Sequence, residues 1–163
     1  SYRGGWRTDT VDVVQGVYSD DGYSAGLSWN YGCMWFGGLR GVLSGKTVKS
    51  ATLTLYRKTG SGSGAARTLY LCAITNTTAS GAPSIAVNYG AIGALGRAEQ
   101  MTFAIPPAVA EGLANGTFGG LCLYESPYNF GASNWSANYM RIAGTDSSYK
   151  PCLRVIYGGT AAG

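Results

Sequence analysis

Hydrophobic and polar residues alternate along much of this chain. From Ala51 to Tyr56 it reads A-T-L-T-L-Y, with Ala51, Leu53 and Leu55 on one side and Thr52, Thr54 and Tyr56 on the other. That period of two predicts a half-buried β-strand. A glycine-serine run, Gly60 to Gly64, follows as a turn or flexible loop, and Thr68 to Thr75 reads as the next strand. Met101 to Ile105 is a short strand ended by Pro106 and Pro107. Gly119–Tyr124, Tyr139–Ala143 and Cys152–Tyr157 complete the series. In the last of these, Leu153, Val155 and Tyr157 share one face, and Cys152, Arg154 and Ile156 the other. Towards the N-terminus, Val11 to Tyr18 reads as a strand and Asp20-Asp21-Gly22 as a turn. Trp29 to Phe36 reads as one further strand, with Trp29, Tyr31, Cys33 and Trp35 on one face.

One segment has a helical spacing instead. Pro107 to Leu113 opens with a proline, which the first helical turn tolerates, and places Val109 and Leu113 four residues apart. Asn115-Gly116 stops it. So short a helix is stable only when packed on a sheet. Many short strands, glycine-rich turns and no internal repeat predict an all-β fold. The expected architecture is a single antiparallel β-sandwich, jelly-roll-like, with one short helix, over residues 1–163.

Composition narrows the chemistry. The 163 residues include 26 glycines, 12 tyrosines, 4 tryptophans and no histidine. The commonest general base and metal ligand is therefore missing, and nucleophilic catalysis through a Ser–His or Cys–His pair is excluded. Eight carboxylates remain, and Asp9, Asp12, Asp20 and Asp21 are the ones near enough in sequence to suggest a glycosidase pair or a calcium loop. Asp20 and Asp21 are the candidate calcium ligands, although Asp-Asp-Gly is ordinary turn chemistry. The expectation is no enzyme, no metal and no cofactor. Charged residues are 12% of the chain, about half the usual share, and the net charge of +4 is scattered. A nucleic-acid groove needs a denser basic stripe, so no nucleic-acid partner is expected. No apolar run reaches the roughly 20 residues of a membrane span. A surface so poor in charge must be covered by Ser, Thr, Asn, Tyr and Gly or by neighbouring subunits, which points to a homo-oligomer.

The four cysteines, Cys33, Cys72, Cys122 and Cys152, have no C-x-x-C pair among them. Each lies in an apolar run and reads as a buried small hydrophobe; the alternative is one or two disulfides, among three pairings. The aromatics carry more functional weight. The stretch Glu125–Tyr139 sets Tyr128, Phe130, Trp135 and Tyr139 among Asn, Ser, Gly and Ala. Flat aromatic faces suit sugar rings, and long loops often carry function. The segment is a candidate glycan or receptor contact, or else a loop folded over the sandwich with Trp135 as a plug. Tyr18 and Tyr23, flanking the Asp20-Asp21 turn, are weaker candidates of the same kind.

Several short segments follow one another in a set order. They are Trp6-Arg7-Thr8-Asp9, Gln15-Gly16-Val17-Tyr18, Gly26-Leu27-Ser28-Trp29 and Gly45-Lys46-Thr47-Val48-Lys49-Ser50-Ala51-Thr52. Further on come Ser80-Gly81-Ala82-Pro83, Gly116 to Leu121, Ser126-Pro127-Tyr128 and Pro151 to Tyr157. Their order resembles a β-sandwich region of bacteriophage and prophage tail-associated proteins, related to the jelly-roll modules called DNRLRE-type in cell-surface proteins. Relative to that pattern, extra residues stand at Asn30 to Met34. The resemblance implies a jelly-roll-like sandwich on a phage tail, fibre or surface appendage, in a virion or at a cell surface, and it transfers no catalytic residue. The expected function is a non-catalytic structural or receptor-recognition domain that contacts other virion or appendage proteins and host glycans. A carbohydrate-binding module of an extracellular bacterial enzyme is the alternative.

Overall fold

The computed structural model describes residues 6, 12–18, 28–59, 65–124 and 139–159. Ten strands and one α-helix are formed in these residues. They are β1 (Val13–Tyr18), β2 (Ser28–Asn30), β3 (Gly32–Met34), β4 (Thr47–Arg57), β5 (Arg67–Ile74), β6 (Ile85–Leu95), β7 (Glu99–Ile105), α1 (Pro107–Asn115), β8 (Gly120–Tyr124), β9 (Tyr139–Ile142) and β10 (Cys152–Gly158).

The strands form two antiparallel sheets. Strand β4 is the spine of the larger one. One of its edges carries β7, from Ala51↔Ile105 to Arg57↔Glu99. The opposite edge carries β10 along Thr47–Thr54 and then β9 at Arg57↔Ile142. Strand β9 passes the sheet on to β1, and β1 to β2. The smaller sheet runs β3-β8-β5-β6. The pairing is nested: β5 with β6, β4 with β7, β3 with β8, β1 with β9. A chain folded back on itself and rolled up gives this scheme, and it is the connectivity of a jelly roll. The all-β antiparallel sandwich with one short helix is thus what the chain forms.

Between the sheets lies one apolar core. Leu53 and Leu55 of β4 meet Leu69 and Leu71 of β5, Phe103 of β7, Leu121 and Leu123 of β8, and Met140 and Ile142 of β9. The alternation read from Ala51 to Tyr56 is the observed burial pattern. It continues one step further, because Arg57 also points inward and is fully buried. Its guanidinium donates to the backbone oxygens of Ala65 (2.8 Å) and Leu95 (3.0 Å), which supplies the partners a buried cation requires. Gln15 on β1 is fully buried too, and its amide has no hydrogen-bond partner among the described residues.

Helix α1 closes the β7–β8 connection. Pro107 stands in its first turn, Gly116 ends it in the left-handed region (φ 84°), and Val109 and Leu113 are buried. Phe118 folds back over Gly112, whose missing side chain leaves room for the ring.

Three expectations change. Trp29 to Phe36 is two strands, not one. The chain leaves the six-stranded sheet after Asn30 and enters the four-stranded sheet at Gly32, crossing at Tyr31. Gly32 permits this corner because a Cβ there would strike Val13. Strand β6 is formed where no strand was expected. Its glycines 90 and 93 adopt positive φ, and its pairing with β5 shifts register at three points, so no sustained alternation shows in the sequence. Finally, Leu153 and Val155 pack on the core, but Tyr157 lies beyond a bulge in β10 and is 47% exposed.

Candidate functional site: a row of thiols under two indoles

Strands β5 and β8 are apolar on both faces. Leu69, Leu71, Ala73, Leu121 and Leu123 face the main core. The alternate residues Cys72, Ile74 and Cys122 join Cys33 in a second, separate cluster on the outer face of the four-stranded sheet. Register puts three of the four cysteines in line: Cys33 on β3 is directly opposite Cys122 on β8, which is directly opposite Cys72 on β5. All three are buried and free. The reading of buried small hydrophobes therefore holds for them, but not for Cys152, which is exposed.

Sheet faces of this kind need a cover, and aromatic rings provide it. Trp6, Tyr31, Trp35 and Tyr124 pack on the cluster. The Trp6 and Trp35 rings lie 5.5 Å apart, tilted by 54°. Both indoles hang from one loop, the β5–β6 connection. Trp6 Nε1 donates to the Gly81 oxygen (2.8 Å) and Trp35 Nε1 to the Asn76 oxygen (2.9 Å). The loop is held by Asn76, whose amide nitrogen donates to the oxygens of Ser80 and Ala82 and whose amide oxygen accepts from the Ser84 N–H. Gly119 and Gly120 let the cover sit close. A Cβ on Gly120 would stand 2.8 Å from the Trp35 ring, and one on Gly119 would overlap the Asn76 backbone.

Electrostatics differ along the row. The hydrogen bond from the Cys122 thiol favours the Cys33 thiolate and holds the Cys33 pKa below that of an ordinary thiol, against the effect of burial. The Cys122 pKa is raised, through the same hydrogen bond, burial and its neighbours' charge. Burial pushes the Cys72 thiol up to about 11, partly offset by a hydrogen bond with Tyr124. Burial likewise raises the Tyr31 and Tyr124 phenols. The Cys33–Cys122 pair thus releases a proton more readily than Cys72, and thiolate is the reactive form. Among the described residues, no group of three or more Cys, Asp and Glu side chains converges as a metal site would require.

The carboxylate singled out with Asp9 turns out to be structural. Asp12 precedes β1, is almost fully buried, and accepts from Lys58 Nζ (2.9 and 3.1 Å) and from Arg141 (2.7 and 3.2 Å). Burial would raise its pKa, but hydrogen bonds and charge from Lys58 and Arg141 outweigh that and hold it below the usual value. Ionised and fully engaged, it ties the entry of β1 to the ends of β4 and β9.

Among the aromatic candidates, Tyr128, Phe130, Trp135 and Tyr23 lie outside the described residues, as do Asp9 and the calcium candidates Asp20 and Asp21. For Tyr18 and Tyr139 the backbone is described. Tyr18 is the last residue of β1 and Tyr139 the first of β9, and those strands are paired neighbours, with Gly16↔Tyr139. The segments 19–27 and 125–138 therefore join the six-stranded sheet at the same end of adjacent strands. The thiol row itself was not legible as a site: its members are 39 and 50 positions apart, and only strand register aligns them. The one available signal was Tyr31, Cys33 and Trp35 on a common face, which the structure retains.

Compared with protein-family models and with curated proteins, the chain matches none of them. No helix among the described residues is long and apolar enough to cross a membrane.

Proposed function

We propose that this chain is a non-catalytic structural and recognition domain of a phage-like tail, fibre or surface appendage, working as a homo-oligomer and contacting glycans of a cell surface. The observation that carries this reading is the shared exit of the two aromatic segments. Residues 19–27, with Tyr23, and 125–138, with Tyr128, Phe130 and Trp135, spring from one end of the β1–β9 pair. Loops gathered at one end of a rigid sandwich are a recurrent way to build a binding surface, as in immunoglobulin variable domains. Tyrosine and tryptophan among Ser, Gly and Asn provide large contact area at small cost in conformational entropy. The engagement of Asp12 by Lys58 and Arg141 removes one of the carboxylates a glycosidase reading would need.

A glycan panel tests this. The expected outcome is binding to a subset of bacterial surface polysaccharides, with Trp135→Ala or Tyr128→Ala weakening it about tenfold, the worth of one lost aromatic contact. Absence of binding across the panel, or binding indifferent to both substitutions, overturns the recognition role. Binding by a strict monomer favours the carbohydrate-binding module instead.

A further inference from the structure

We propose that Cys33 and Cys122 are a dithiol oxidation site, closed to a cross-strand disulfide by hydrogen peroxide. The two residues are directly opposite on antiparallel strands β3 and β8. Such partners have Cα atoms roughly 4.5–5.5 Å apart, inside the span of about 4.4–6.8 Å that disulfides adopt. Cys122 has a second direct neighbour in Cys72, so one sulfur must choose between two.

In an antiparallel sheet the N–H and C=O of one residue point to the same edge, so Cys122 faces its two neighbours through different pair types and the choice is not symmetric. Two observations favour Cys33. The Cys122 thiol lowers the Cys33 pKa, whereas burial raises that of Cys72. Strand β3 is a three-residue edge strand that pairs with β8 alone among the described residues, and it adjusts to a new bond more easily than β5, which is clamped between β8 and β6.

The chemistry balances with the oxidant named. The Cys33 thiolate attacks the peroxide oxygen, breaking the O–O bond and leaving a sulfenic acid and hydroxide. The Cys122 sulfur then attacks the Cys33 sulfur and displaces the sulfenic oxygen; with the Cys122 proton, this leaves as water. Two thiols lose two electrons and two protons, and the peroxide is reduced to two waters. Cys33, 6% exposed against 0% for Cys122, is the one a small oxidant reaches, once the Trp35 indole lifts from the Asn76 oxygen. The site rests on strand register and is independent of the recognition role.

The test uses the full chain carrying Cys152→Ser, which removes the exposed thiol and its intermolecular coupling. The folded protein is treated with hydrogen peroxide, and a second sample is refolded in a glutathione redox buffer, where the aromatic cover does not limit access. The expected result in both is the loss of two hydrogens from the intact mass and a Cys33–Cys122 linked peptide. Cys72 stays alkylatable, and the urea midpoint rises and returns with dithiothreitol. A Cys72–Cys122 link, or three alkylatable thiols after both treatments, overturns the proposal.

Discussion

Asp12 is the residue where a small change has the clearest consequence. Its carboxylate is about 2% exposed, while Lys58 and Arg141 around it are 39% and 40% exposed. Removing one partner of a buried pair costs about 3–5 kcal/mol, and surface pairs are worth about 0–1 kcal/mol. Solvent around the two cations places Asp12→Asn between these limits, at about 2 kcal/mol of lost stability near neutral pH. The pH dependence follows from the lowered pKa. The folded state binds the Asp12 proton less readily than the unfolded chain, whose value is near 3.8. The stabilisation is therefore complete above that value and disappears as the pH falls through the folded pKa. Urea unfolding at pH 7 and at steps below pH 4 should show the wild type converging on Asp12→Asn as acid is added. A constant gap between the two down to the lowest pH would show that the ion pairs are not its source.

At the scale of elements, the close approach of β8 to its cover sets the next expectation. A Cβ on Gly120 would stand 2.7 Å from the Met34 oxygen as well as against the Trp35 ring, so backbone and indole must both move. Overpacking of this kind costs typically 1–3 kcal/mol, and Gly120→Ala should lower the urea midpoint accordingly. Gly38→Ala, with nothing within 4 Å of the added carbon, is the matched control and should be near neutral. Equal midpoints for the two variants would mean that Trp35 is not seated on β8. The elements themselves were legible wherever one face is wet: β4, with Ala51, Leu53 and Leu55 inward, and α1, with proline before it and glycine after it, follow from local pattern. Strand β6 was hidden by its positive-φ glycines, and the break between β2 and β3 by a run of aromatics that alternates straight through a change of sheet. The thiol row is a property of register among three strands. Register is fixed by the assembled sandwich and not by any one segment.

At the scale of the whole molecule, the longest edge strand among the described residues, β6, lacks charge and proline. Its eleven residues, Ile85–Leu95, pair only with β5 among the described residues. Ile85 and Val87 are large apolar residues that stand 46% and 36% exposed. Edge strands are ordinarily blunted by lysine, proline or bulges. Here three register shifts along β5–β6 and the positive φ of Gly90 and Gly93 irregularise the strand; two of the shifts fall within Ile85–Gly90, so what that end offers a neighbour is its apolar side chains and not a regular strand edge. That end is the surface on which copies should meet, and it suits a chain with only 12% charged residues, because an apolar seam needs no charge complementarity. Light scattering over a range of concentrations should then give a trimer or larger assembly, and Val87→Lys should shift it to monomer by placing a charge in the seam. The salt response separates this contact from an ionic one. Screening weakens charge pairs, whereas sulfate strengthens apolar burial, so association should hold or tighten as sodium sulfate is added. Dissociation in sulfate, or an assembly unmoved by Val87→Lys, would place the contact away from β6. A monomer at every concentration would leave the edge as an ordinary solvated strand and remove the oligomer from the proposed function.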